Sequence, residues 1–256
     1  MQLTEYTIKT ARMGVDLRMA VVADLHDHER SRAAVLRILE QEKPDIILVP
    51  GDLTGTLTDA PDDRARPGLR LLSEMVGIAP TFYSFGNHEV GACHANIRRA
   101  ERLGFPPKTV HPAYMEAIQK SGAVLLHNTY TTFGGMVIGG QGTGLWNKGR
   151  LPDCSWIKDF SAQEGFKLLL CHHPEYYERY LKEYDIDLVV SGHAHGGQWR
   201  IFGRGVYAPD QYFFPKYSSG VHDGRLVISR GTSNNVPFAP RLFNPCEVVM
   251  LRVTGK

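Results

Sequence analysis

The sequence predicts an α/β fold, a layered sandwich of sheets flanked by helices. Three observations predict it. Short apolar runs ending in Gly, Asp, Asn or His recur along the chain, stretches with helical spacing lie between the early ones, and the later half is richer in strand and hairpin signals.

The first run, Met19 to Ala23, is followed by Ile46 to Val49, Phe82 to Phe85, Leu168 to Leu170 and Leu188 to Val190. Runs this short, with β-branched residues, read as buried strands. Between the first two, Ser31 to Gln41 places Val35, Leu36, Ile38 and Leu39 on one face before Pro44 stops the turn, which is a helix pattern. Helices also fit Gly68 to Val76, Tyr114 to Lys120 and Tyr176 to Tyr184. Near the C-terminus, His222-Asp223-Gly224 between Ser218 and the run Val227 to Ser229 reads as a hairpin turn.

Two segments resist this scheme: Gly91 to Pro112, with Pro106-Pro107, and Phe202 to Gly220, with Tyr207, Tyr212, Phe213, Phe214 and Tyr217. Long irregular segments in compact domains are often functional. The aromatics of the second either line a cleft, binding a base or an acyl chain, or pack the segment onto the sandwich, and packing is the expectation for most of them.

At 256 residues and 43% hydrophobic content, with no linker-like stretch, residues 1–256 are expected to form one domain. The formal charge of +2, from 29 basic and 27 acidic residues, gives no nucleic-acid footprint, so no stable nucleic-acid partner is expected. Met1 to Lys9 lack the apolar core of a secretory signal, and no window approaches the ~18 to 20 apolar residues of a transmembrane span. The expectation is a soluble, cytoplasmic protein. Cys93, Cys154, Cys171 and Cys246 lie far apart without a CxxC pair and read as free, mostly structural thiols.

The chemistry sits where the apolar runs end. Asp24-Leu25-His26 follows the first run, so an oxygen and an imidazole emerge two residues apart on the same side. Gly51-Asp52 follows the second run and Gly86-Asn87-His88-Glu89 the third. Cys171-His172-His173-Pro174 and Ser191-Gly192-His193-Ala194-His195-Gly196-Gly197 follow the last two. One Asp or His after a strand is usually a cap or a surface group. Ligand-type side chains at five strand ends instead point to a metal site, because ligands bind outside the carboxyl ends of strands in α/β sheets.

Asp, Asn and His without cysteine suit divalent ions such as Mn, Fe or Zn. Seven donors, Asp24, His26, Asp52, Asn87, His172, His193 and His195, exceed one tetrahedral ion and suit two ions ~3.5 to 4 Å apart sharing a carboxylate, with Asp52 the natural bridge.

This ordered motif set resembles that of the calcineurin-like metallophosphoesterases, from about Leu17 to Glu247. Within them, Gly196-Gly197-Gln198, Phe214-Pro215-Lys216-Tyr217, Gly231-Thr232-Ser233 and Arg241 to Glu247 resemble a bacterial branch of YkuE/YaeI-type phosphodiesterases. The resemblance implies a four-layer α/β/β/α sandwich and two divalent metal ions, with manganese favoured. It implies one ion on Asp24, His26 and His195, the other on Asn87, His172 and His193, and Asp52 between them. His88 then stands beside the phosphate as the catalytic general acid, with Asp52 or Glu89 as its partner.

The expected reaction is hydrolysis of a phosphodiester, lipid- or nucleotide-linked, by attack of a metal-activated hydroxide. The partner is then a small-molecule or lipid phosphoester substrate. The alternatives are a phosphomonoesterase acting on a small phosphorylated metabolite, and a non-catalytic scaffold on the same fold. An amidohydrolase barrel, suggested by His26-Asp27-His28, leaves Gly51-Asp52 and Gly86-Asn87-His88 without a task. His28 and His173 are expected to back the ligands from behind or to face solvent, not to bind metal themselves. His94, His111, His127 and His222 read as structural, and Arg230 and Arg241 as phosphate contacts or surface ion pairs.

Overall fold

The computed structural model describes residues 1–12, 14, 16–62, 65–92, 109–144, 152–234 and 239–255. Two six-stranded sheets carry the fold. The first contains β1 (Gln2–Thr10), β2 (Leu17–Val21), β3 (Ile46–Val49), β4 (Thr81–Tyr83), β5 (Val124–Leu125) and β16 (Glu247–Gly255). Their order is β1-β16-β2-β3-β4-β5, with β2 to β5 parallel and β16 antiparallel to β2.

The second sheet contains β6 (Thr129–Phe133), β7 (Met136–Gln141), β8 (Phe166–Cys171), β9 (Leu188–Ser191), β14 (Gly220–His222) and β15 (Leu226–Ile228). Its order is β14-β15-β9-β8-β7-β6, parallel from β15 through β7 and closed at each edge by an antiparallel strand. Two short hairpins complete the strands: β10 (Arg200–Ile201) with β11 (Arg204–Gly205), and β12 (Tyr207–Ala208) with β13 (Tyr212–Phe213).

Strand periodicity divides the apolar side chains into layers. Met19 and Val21 of β2 and Ile46 and Leu48 of β3 meet Leu168, Leu170, Leu188 and Val190 of the second sheet in a central core. The intervening Ala20, Ile47 and Val49 face the opposite way. There they pack on α1 (Glu29–Glu42), α2 (Pro67–Val76) and α3 (Pro112–Ser121) through Val35, Leu39, Leu71, Met75 and Ile118. The outer face of the second sheet, with Val137, Leu169 and Val189, packs on α4 (Ile157–Ser161) and on Tyr176, Tyr177 and Leu181. The result is the α/β/β/α sandwich that the motifs imply.

The five apolar runs all become strands, and the turn at Asp223-Gly224 joins β14 to β15. The long β1 and β16 were not among those readings. β1 is an edge strand with a mostly exposed, mixed sequence, so its periodicity is weak until β16 pairs with it over nine residues. The stretch Tyr176 to Tyr184 forms a π-helical turn, Tyr177–Leu181, closed by Lys182 N–H donating to the Tyr177 carbonyl at 2.8 Å. Tyr177 and Leu181, four residues apart, both pack in the outer core of the second sheet.

Cys154, Cys171 and Cys246 are free thiols, while Cys93, His94 and most of the segment Gly91 to Pro112 lie outside the described residues. Of the aromatics in the other irregular segment, only Tyr217 is packed inside. Tyr207, Tyr212, Phe213 and Phe214 are exposed, which corrects the expectation that most of these aromatics pack onto the sandwich. The two-residue strands β10 to β13 pair only among themselves and join neither six-stranded sheet.

Candidate metal centre

β2, β3 and β4 of the first sheet and β8 and β9 of the second all end at one rim of the sandwich. The loops that leave them are stitched together by backbone hydrogen bonds: Asp24 N–H to the Gly51 carbonyl at 3.2 Å, and Gly192 N–H to the His172 carbonyl at 3.1 Å. A bond from His193 N–H to Asp24 Oδ1, 3.0 Å, crosses between the two sheets. Residues distant in the chain are thereby fixed side by side.

The structure brings all seven sequence-predicted donors to this rim. Asp24, His26 and His195 form one group, His26, Asp52 and His88 a second, and Asp52, His172 and His193 a third, each with donor atoms within 4.8 Å of one another. Asp52 Oδ2 lies 3.1 Å from His172 Nε2, 3.8 Å from His26 Nε2 and 4.0 Å from His88 Nε2. Asn87 Oδ1 lies 3.1 Å from His172 Nε2.

Five of the seven sit in left-handed backbone: Asp24 at φ 55°, His26 at 50°, Asp52 at 53°, His193 at 65° and His195 at 47°. That conformation is uncommon outside glycine and costs on the order of 1 to 3 kcal/mol per residue. Glycine neighbours let the loops come this close. A Cβ on Gly86 would stand 2.6 Å from the Asp52 amide nitrogen, and one on Gly192 would stand 2.8 Å from Asp24 Oδ2.

Ring tautomers follow from the partners. His172 Nδ1–H donates to the Pro50 carbonyl at 2.9 Å, so Nε2 is the nitrogen turned to Asp52 and Asn87, where it donates in the metal-free protein and would be free for an ion once deprotonated. His193 Nε2–H donates to Asp210 Oδ2 at 3.0 Å, which leaves Nδ1 as its lone-pair nitrogen. Arg241 donates to His195 Nδ1 at 3.0 Å while His195 Nε2 faces His26 Nε2 at 3.4 Å.

Electrostatics favour added positive charge. Asp24 and Asp52 are fully buried, and among the described residues neither has a lysine or arginine within ion-pair distance. Among the described residues Asp24 Oδ2 has no hydrogen-bond partner. Burial pushes His26 and His195 down to about 3, whereas at His172 burial is outweighed by Asp52, Asp24 and Glu89, which hold it at about 9. Buried carboxylates are costly, and where the His172 imidazolium now offsets part of the charge of Asp52, divalent ions would supply positive charge to both carboxylates. The donor set, all Asp, Asn and His, fits such ions.

Other residues take supporting places. Glu89, buried, accepts from the amides of Asp52, Thr54 and Gly86 at 3.0, 3.0 and 2.9 Å, so it clamps the loops instead of partnering His88. Burial and the neighbouring Asp52 raise it to about 7. His28 is exposed and caps α1, accepting from Ser31 N–H at 3.2 Å, and His111 caps α3. His173 is buried, with Nδ1 3.1 Å from Glu175 Oε1 and 3.8 Å from Asp210 Oδ2. Glu175 and Asp210 escaped sequence reasoning. The only available signal was that a carboxylate follows His173 by two residues, and nothing placed Asp210 near His193 before folding.

Fold and donor cluster together are those of a calcineurin-like sandwich with a candidate metal site at its rim. The calcineurin-like phosphoesterase profile matches residues 17–197, and the chain belongs to that family. It is 27% identical to an uncharacterized metallophosphoesterase of Campylobacter jejuni over 94% of this chain and 60% of the relative. It is 25% identical to an uncharacterized metallophosphoesterase of Aquifex aeolicus over 100% of this chain and 93% of the relative. Among solved structures, a novel archaeal phosphodiesterase aligns with a TM-score of 0.43 and 13% identity, over 88% of this chain and 90% of that one. No described helix is long and apolar enough to cross a membrane.

Proposed function

We propose that the chain hydrolyses a phosphodiester at a dinuclear centre, with Asp24, His26 and His195 holding one divalent ion and Asn87, His172 and His193 the other. Asp52 bridges them. The observation that carries this reading is the position of one carboxylate oxygen, Asp52 Oδ2, 3.1 Å from a histidine of one set and 3.8 Å from a histidine of the other. Of Mn, Fe and Zn, manganese is favoured for this O/N donor set. When bound, such a pair lowers the pKa of a shared water toward ~7 and neutralises charge on the phosphoryl oxygens.

The chain's own residues supply the rest. His88 has the most open side chain of the five clustered histidines, 27% exposed against 13% or less for the others, and its ring packs edge-on against His26 at 4.5 Å. It therefore faces incoming substrate and serves as the general acid that protonates the leaving oxygen. A diester is preferred over a monoester because the nearby arginines are occupied. The terminal nitrogens of Arg241 bond to His195 Nδ1 and to the Arg230 and Ser233 carbonyls, and Arg230 pairs with Glu247. A dianionic phosphate would need a further cation.

The deciding experiment is metal analysis of the purified protein, joined to rates on mono- and diesters with Mn, Fe, Zn and Mg. The expected result is two ions per chain and release of nitrophenol from bis-nitrophenyl phosphate ahead of nitrophenyl phosphate. Faster monoester release would favour the monoesterase reading, and two bound ions without hydrolysis of any ester would favour the scaffold.

A further inference from the structure

The largest exposed apolar side chains gather on the hairpins beside the metal centre. Phe202 is 102% exposed, Phe243 88%, Phe214 74% and Phe213 71%, with Tyr212 and Ile201 beside them. The segments that carry these rings are laced to one another through the backbone. Arg200 N–H donates to the Leu242 carbonyl at 3.0 Å, Val206 N–H to the Trp199 carbonyl at 2.9 Å, and Phe214 N–H to the Val206 carbonyl at 2.8 Å, so the segments lie as successive rungs.

The surface edges the site. Asp210, in the turn between β12 and β13, bonds to His193, and Tyr212 follows two residues later. Arg241 bonds to His195, and Leu242 and Phe243 follow directly.

Two further observations identify what covers it. Phe202, Tyr212, Phe214 and Phe243 all have left-handed backbone, at φ 49°, 59°, 54° and 54°, where a bulky residue is a genuine outlier. A ring held outward on a strained turn gains nothing from water, and among the described residues none covers it. Protruding tips of this kind suit insertion among lipid chains better than a flat protein interface. Charge points the same way. The charged residues of 199–216 and 239–243 are Arg200, Arg204, Asp210, Lys216 and Arg241, and the one acid turns inward to His193. Arg204 is exposed, and so is Lys216, which pairs with Glu178 at 2.9 Å. Arg241 also turns inward, to His195, and Arg200 is held on the Gly196 and Gly203 carbonyls, so the outward charge outside an ion pair is the basic one of Arg204, beside the exposed rings.

We propose that this surface docks the protein on an anionic lipid bilayer, with the rim of the metal centre turned toward the headgroups. Docking stands independently of the phosphoesterase reading, since it needs no catalysis. The test is co-sedimentation of the full, manganese-loaded chain with vesicles of phosphatidylglycerol and of phosphatidylcholine. Binding is expected to phosphatidylglycerol and to weaken with salt. The double variant Phe202→Ser/Phe243→Ser should lower the partition coefficient about 100-fold or more, from the loss of two buried rings, and Arg204→Gln about fivefold. Unchanged thermal melting and metal content in the variants exclude misfolding as the cause. Failure of the wild-type chain to bind phosphatidylglycerol vesicles would overturn the proposal, as would binding untouched by the double variant. Self-association in analytical ultracentrifugation that the double variant abolishes, without vesicle binding, would assign the surface to a second copy and also overturn it.

Discussion

Replacing Asp210 with Asn tests whether the contact behind His193 tunes one ion of the pair. Asp210 Oδ2 accepts from His193 Nε2 at 3.0 Å and stands 3.8 Å from His173 Nδ1, in a pocket that is nearly closed to solvent. Asn keeps the shape and an acceptor oxygen, and it tolerates the φ of 58° at this turn. What it removes is the charge. A hydrogen bond to a charged group contributes about 1.5 to 3 kcal/mol and a neutral one about 0.5 to 1.5. The difference, about 1 to 1.5 kcal/mol, is about a five- to thirteenfold weaker affinity for the ion that His193 holds. The ion on Asp24, His26 and His195 should be nearly unaffected. Calorimetric titration of metal-stripped protein with Mn(II) resolves the two steps, and the melting temperature reports on the fold. Two unchanged binding steps would refute the orienting role, and equal weakening of both would show that Asp210 acts through the overall field and not through His193.

His88→Ala should lower turnover about 100- to 10,000-fold while leaving two ions per chain by elemental analysis; loss of an ion would make His88 a ligand. Gly86→Ala should destabilise the protein by about 1 to 3 kcal/mol in urea unfolding and deplete bound metal, because the new methyl would meet the Asp52 amide nitrogen at 2.6 Å. In metal-stripped protein, stability should fall on both sides of about pH 6.5. Burial holds His26 and His195 at about 3, so below 6.5 the unfolded chain binds more protons and each histidine costs about 1.4 kcal/mol per pH unit. His172, raised to about 9, contributes stability that is complete below 6.5 and is lost as the pH rises through 9. Urea midpoints that stay flat from pH 4 to 9 would refute this. Finally, Arg241→Met should tighten the ion on His195, since the guanidinium now donates to Nδ1 and disfavours the tautomer that frees Nε2; an unchanged Mn(II) affinity would refute it.

The residues proposed to hold the metal ions were legible in the sequence because most lie within a few residues of the end of a buried strand. A strand that runs between a helical layer and a second sheet has to be apolar on both faces, so Met19 to Ala23 or Leu188 to Val190 announces itself, and the first polar residue after it marks the rim. Asp24, Asp52, Asn87, His172 and His193 are all visible in this way. The same logic is weak for β1, an exposed edge strand, and for the π-helical turn at Tyr177–Leu181, whose spacing imitates an ordinary helix.

Local order along the chain thus determined the α/β class, the strand ends and the donor types. Only the tertiary structure decided which sheet ends meet, that Asp52 stands between two histidine sets, and that Glu89 clamps amides and Asp210 backs His193. It also decided that Phe202, Phe214 and Phe243 face water rather than the core. The physical reason is that periodicity encodes which face of a strand is buried, a short-range property. Contacts such as Asp24 with His193, 169 residues apart, depend on how two sheets pack, which no local pattern records.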